Sequence, residues 1–148
     1  MNYLSLPPSK VVDVVKESLG TPTLGVSFCL NPVPASRPKV TRWGVYYGKN
    51  YTAWRKAAME LIKESTDTID KYCTVLVEQI VLKPKTSKKD FPRGDVDNYA
   101  KAPMDILTKK KFWTDDDMVT FMGSSKRFAD PDEEPRTEVS IYVHQGSN

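Results

Sequence analysis

The sequence predicts an α+β domain: a mixed β-sheet with two main helices. Three observations carry that expectation. Two segments place apolar residues three and four apart, several others alternate or are β-branched, and Gly/Pro-rich turns punctuate them. At 148 residues, 39% hydrophobic and 28% charged, the chain fits one globular domain with a real core. It has no internal repeat and no low-complexity tract.

In chain order, residues 1–23 read as an N-terminal extension. Pro7-Pro8 breaks the chain, Ser9 is the expected N-cap, and Val11, Val12, Val14, Val15 and Leu19 form one side of a short helix ending at Gly20. The main domain spans residues 24–148. Its first strand is expected over 24–30, stopped by Asn31, Pro32 and Pro34. A short hairpin follows over 39–47 with Gly44 in the turn. Residues 51–64 form the first main helix, with Trp54, Ala57, Ala58, Leu61 and Ile62 as its apolar stripe. A strand over 74–82, a polar loop over 83–93, the second main helix over 97–109, and strands over 118–128 and 138–143 complete the order.

Composition excludes several classes. No apolar run is long enough to span a bilayer, which requires about 18 residues or more. The first eight residues lack the charged and apolar regions of a secretory signal, so a cytoplasmic protein is expected. Cys29 and Cys73 lie in apolar stretches and are expected to be buried free thiols. With one histidine, His144, and two scattered cysteines, no zinc ligand set is on hand. Any metal must be held by oxygen.

The net charge of +3 says less than its distribution. Residues 31–63 hold seven Lys/Arg against one acid, and residues 83–93 hold five against one. Residues 115–138 invert the sign, with eight acids against three bases. Basic segments with an acidic counterpart suit a protein that grips phosphates in one place and a cation in another, although a solvated surface of uneven charge has the same pattern.

The informative stretch runs from Arg93 through Gly94, Asp95, Val96, Asp97 and Asn98 to Lys101 and Asp105. In an extended segment Asp95 and Asp97 face the same way, and their mutual repulsion is relieved by a cation. Oxygen-only ligands favour Mg²⁺, with Mn²⁺ as a substitute. The pair also reads as a helix start, since aspartate suits an N-cap and the positive end of the helix dipole. Lys101 lies four residues from both Asp97 and Asp105, as a rung of an ion-pair ladder or as a contact to a scissile phosphate. Pro103 cannot donate to the Tyr99 carbonyl, so a bend is expected there, or a helix that becomes regular only near Ala100. Asp115, Asp116 and Asp117 read as a turn or as the source of a third carboxylate.

The Asp95-Val96-Asp97-Asn98 element, then Lys101, Asp105, Leu107, Phe112-Trp113 and Asp115-Asp116, resembles the signature of the RusA family of Holliday-junction resolvases. Lys88, Lys89 and Arg93 resemble the basic run before its paired aspartates, and the segment around Arg37-Pro38 resembles its N-terminal strand and hairpin. The similarity covers roughly residues 24–143. It departs at Gly94, where a basic residue is common, at Pro103, and in the extension.

The resemblance implies a Mg²⁺-dependent endonuclease that resolves four-way DNA junctions by paired nicks, as a homodimer. Asp95, Asp97 and Asp116 would be the metal-binding carboxylates and Lys101 the essential basic residue. Activated water would attack phosphorus in line, leaving 5′-phosphate and 3′-hydroxyl ends. Arg37, Lys39, Arg42, Lys85, Lys88, Lys89 and Arg93 are the expected DNA contacts. Stacking on bases at the branch is open to Trp43, Tyr46 and Tyr47, or these rings simply pack the hairpin. Two rivals remain at this point: a non-catalytic branched-DNA-binding module, and a glycosyltransferase using Asp-Val-Asp for a metal–nucleotide diphosphate.

Overall fold

The computed structural model describes residues 1–145; the side chain of Tyr46 lies outside the described part, and with it the stacking role expected of that residue. The elements are α1 (Pro8–Leu19), β1 (Leu24–Phe28), β2 (Lys39–Thr41), β3 (Gly44–Tyr46), α2 (Lys49–Leu61), β4 (Cys73–Val81), α3 (Val96–Lys109), β5 (Val119–Phe128) and β6 (Arg136–Val143), with one 3₁₀ turn over Asp116–Met118. Four strands form a mixed sheet in the order β1-β6-β4-β5, and β2 and β3 form a separate hairpin. The expected α+β class and mixed sheet are borne out.

β4 and β5 are parallel, whereas β6 runs antiparallel to both β4 and β1. A parallel pair needs a crossover, and α3 supplies it. Being central and covered on both faces, β4 reads as a nearly continuous apolar run, and eight of its nine residues are buried. Alternation sends Val75, Val77 and Gln79 to one face and Leu76 and Glu78 to the other. On the first face α2 and α3 bury Trp54, Ala58, Ala102, Ile106 and Leu107 against Phe28, Val75, Val77, Val139 and Ile141. Phe28 stacks on Trp54 with ring centroids 5.8 Å apart. On the second face lies α1, tied by an ion pair of 2.6 Å between Lys16 and Glu78.

Several local expectations need correction. α1 starts two residues early, with Pro7 at the N-cap and Pro8 inside, so Ser9 caps nothing; proline at the first helical position suits a site where no N–H partner is needed. Cys29 is exposed, because β1 ends at Phe28 and the chain turns outward; Cys73 is buried as expected. Leu61, placed in the apolar stripe of α2, is exposed at the helix end. The strand expected from Met118 begins at Val119, after the 3₁₀ turn.

The largest departure concerns α3, which is helical from Val96 and continues through Pro103. Proline removes the donor for the Tyr99 carbonyl, and a buried unpaired carbonyl is costly. The side-chain amide of Gln79 replaces it, donating to that carbonyl at 2.9 Å, while its own oxygen accepts from the Thr137 hydroxyl at 2.6 Å. Gln79 and Thr137 are each 1% exposed. A side chain from β4 thus repairs the helix.

Candidate active site

α3 places the chemistry-bearing residues along its length. Asp95 occupies the N-cap position in extended conformation, yet its side chain makes no capping hydrogen bond. Its carboxylate is therefore not spent on starting the helix. Asp97 sits in the first turn, where the helix dipole favours an anion. Lys101 and Asp105 follow one and two turns on, so Asp97 and Asp105 are separated by roughly 12 Å along the axis. All four are exposed. Among the described residues Lys101 forms no ion pair within 4 Å with Asp97 or Asp105, so the ion-pair ladder is not made.

A groove of about 460 Å³ opens beside this helix, lined by Asn98, Lys101 and Asp105 of α3, Asp115 and Asp116 of the following turn, Tyr51 and Arg55 of α2, and Arg37. The chain before the hairpin is held there by a hydrogen bond of 2.8 Å from the Ala35 amide to the Asn98 carbonyl. That contact brings Arg37 to the carboxylates. Asp116 has its carboxyl pushed above the ordinary range, first by a hydrogen bond shared with Asp115, then by desolvation and the charges of Asp115, Asp105 and Asp117. The upward shift marks a local excess of negative charge.

The opposite wall was not legible beforehand. Tyr51 lines the same groove as Asp105, and its pKa is raised first by burial and then by the charge of that carboxylate. Tyr47 meets Tyr51 edge to face at 5.9 Å, and the Arg55 guanidinium lies 5.6 Å from the Tyr47 ring. The available signal was the spacing of Tyr47, Tyr51 and Arg55 at every fourth position, with Tyr51 and Arg55 one turn apart on α2 and Tyr47 just before its N-cap.

The other expected DNA contacts fall in three places. Lys39 and Arg42 are exposed on the hairpin, where Arg42 lies 4.7 Å from the Trp43 ring centroid. Lys88, Lys89 and Arg93 line a second cavity of about 710 Å³ with Pro32, Pro34 and Tyr99. Lys85 is exposed on the same loop. Asp95 and Asp97 belong to the wall of neither cavity; they lie on the divide, with Arg93 on one side and Lys101 on the other.

The donor set is all oxygen and suits a hard divalent cation. Among the described residues no three His, Cys, Asp or Glu side chains converge as a complete ligand set, so Asp95, Asp97 and Asp116 are not gathered into a closed triad. That arrangement still fits Mg²⁺, which commonly takes one or two carboxylates and fills its sphere with water and substrate phosphate.

The model of the endodeoxyribonuclease RusA family matches residues 30–142 of the 148-residue chain. The chain belongs to the RusA family. It is therefore an endodeoxyribonuclease of the Holliday-junction-resolving class, which sets aside both the glycosyltransferase and the non-catalytic module. No curated protein matches the chain. The RusA match takes in α2, α3, the hairpin and, save the last residue of β6, every strand of the sheet except the first, together with the carboxylates of the candidate site. No helix among the described residues is long and apolar enough to cross a membrane.

Proposed function

We propose that the chain resolves four-way DNA junctions by paired, Mg²⁺-dependent nicks, with Mn²⁺ as a working substitute. The observation that carries this reading is the placement of Asp95, whose side chain caps nothing, of Asp97, and of Lys101, which pairs with neither Asp97 nor Asp105, at the exposed start of α3, beside a groove lined by Lys101, Asp105, Asp115 and Asp116. Asp95, Asp97 and Asp116 would hold the cation. When bound, it would neutralise charge on the phosphoryl oxygens and make a nucleophile available at neutral pH.

The chain's own groups account for the rest. Lys101 presents its ammonium to the scissile phosphate, next to the carboxylates and without an acidic partner to hold it back. Arg37 and Arg55 face the same groove and hold flanking phosphates there. Lys39 and Arg42 on the hairpin, and Lys85, Lys88, Lys89 and Arg93 on the other side, grip backbone farther out. These contacts give position and affinity with little sequence choice. Trp43, 75% exposed at the hairpin tip, offers a ring for stacking at the branch.

The working unit is a C₂ homodimer, since a four-way junction has two strands to cut and a symmetric pair of sites matches it. Residues 1–23 are an appendage to a nuclease domain of residues 24–148, and the protein acts in the cytoplasm. The test is cleavage of a synthetic four-way junction beside a linear duplex of the same sequence, with Mg²⁺ and with chelator. Paired nicks in the junction alone, lost on chelation, are expected; equal cutting of the duplex, or cutting in chelator, would overturn the proposal. Sedimentation with and without junction tests the dimer.

A further inference from the structure

We propose that Lys126, with Gln79 beside it, is a positioning pair that fixes the backbone on both sides of Asp95 and Asp97. The proposal rests on the assignment of those aspartates as cation ligands. Lys126 and Gln79 are directly opposite each other in the parallel register of β5 and β4. Both side chains rise from the face that carries α3.

Lys126 donates to the carbonyls of Pro92 at 2.7 Å and of Gly94 at 2.5 Å, immediately before Asp95. Its ammonium also lies 5.6 Å from the Phe91 ring centroid. The intervening Arg93 carbonyl accepts from the Tyr99 hydroxyl at 2.9 Å. Three consecutive carbonyls are thus taken up by side chains, two of them by one lysine. After the aspartates, Gln79 holds the Tyr99 carbonyl that Pro103 leaves vacant. Asp95 and Asp97 lie between these anchors.

The chain has no cheap alternative path there. Gly94 has φ +98°, and a Cβ at that position would come within 3.2 Å of both Pro34 and Tyr99. A lysine on an edge strand is free to extend into water, and turning it inward costs side-chain entropy. Solubility or surface charge does not require that conformation. Holding a ligand-bearing backbone does, because outer partners that orient metal ligands typically change metal affinity or activity 10–100-fold when removed.

The test is Lys126→Met, which keeps the apolar stem and removes the donors. Three readouts apply: amide hydrogen exchange of the metal-free protein, Mn²⁺ binding followed by electron paramagnetic resonance, and junction affinity without metal. We expect exchange across residues 94–99 to quicken at least about tenfold while β4 and β6 amides stay protected, and Mn²⁺ affinity to fall about 10–100-fold. Junction affinity should stay within about twofold. Wild-type exchange together with wild-type Mn²⁺ affinity would overturn the proposal. Should the Met variant not fold, Lys126→Gln, with one shorter amide donor, is read by the same measures. Asp97→Asn separates the two layers: if it binds Mn²⁺ like wild type, the ligand assignment fails, whereas the exchange measurement still judges the anchor.

Discussion

The backbone around Asp95 and the β2–β3 hairpin are both expected to meet DNA, yet they are built differently. Around Asp95 the carbonyls of Pro92, Gly94 and Tyr99 are held by side chains from β5 and β4, and that of Arg93 by the Tyr99 hydroxyl. The hairpin strands pair only with each other, and Lys39, Val40, Thr41, Trp43 and Val45 are all exposed. A two-stranded ribbon with so little burial is a marginal structure by itself. The contrast suggests a division of labour: carboxylates need fixed geometry, because misplacement of reacting groups is costly, whereas phosphate contacts tolerate adjustment.

The division is broken or sharpened by mutation. The largest effect is expected at the carboxylates. Asp95→Asn and Asp116→Asn should each lower single-turnover cleavage by at least about a hundredfold with junction affinity unchanged or tighter. Asp117→Asn should be mild, so equal losses at Asp116 and Asp117 would mean that the wrong carboxylate has been assigned. Next, Lys101→Ala should slow cleavage by about 10²-fold and change affinity little; wild-type turnover would make this lysine a surface charge.

A smaller and different effect is expected from the hairpin. The pair Lys39→Ala and Arg42→Ala should weaken binding and reduce the salt slope by about one per residue, with the rate of the saturated complex preserved. A loss of saturated rate instead would show that the hairpin also sets geometry. The smallest effect concerns the far end of the sheet. Glu133 has its pKa lowered to about 2, chiefly by its hydrogen bonds from Arg127 and also from the Asp130 amide. A depressed carboxylate stabilises the fold above its unfolded pKa near 4.5 and loses that contribution as pH falls toward 2. Thermal melts should show Glu133→Gln less stable by about 1–2 kcal/mol at neutral pH, converging on wild type near pH 2, with cleavage chemistry unaffected.

Much of this was legible in the sequence, for local reasons. The helical stripe of α2, the apolar run of β4 and the Asp-Val-Asp-Asn segment are each contained within a few residues. What was not legible depends on residues distant in sequence. Pro103 does not delay α3 because Gln79, twenty residues before Tyr99, takes the free carbonyl. Asp105 reads as one rung of a ladder, and only the packing of α2 on α3 sets it in one groove with Tyr51. Cys29 was misjudged because apolar neighbours do not reveal where a strand ends. Lys126 carried no signal at all, since an edge-strand lysine ordinarily faces water.

The central claim is that the fixed carboxylates perform cleavage and the basic segments only hold the substrate. The most direct measurement is single-turnover cleavage of a saturating four-way junction by Asp97→Asn in Mg²⁺, with binding of the same junction measured in parallel without metal. The account predicts wild-type or tighter binding and cleavage lower by at least about a hundredfold. Cleavage near the wild-type rate, or parallel loss of binding and cleavage, would contradict it.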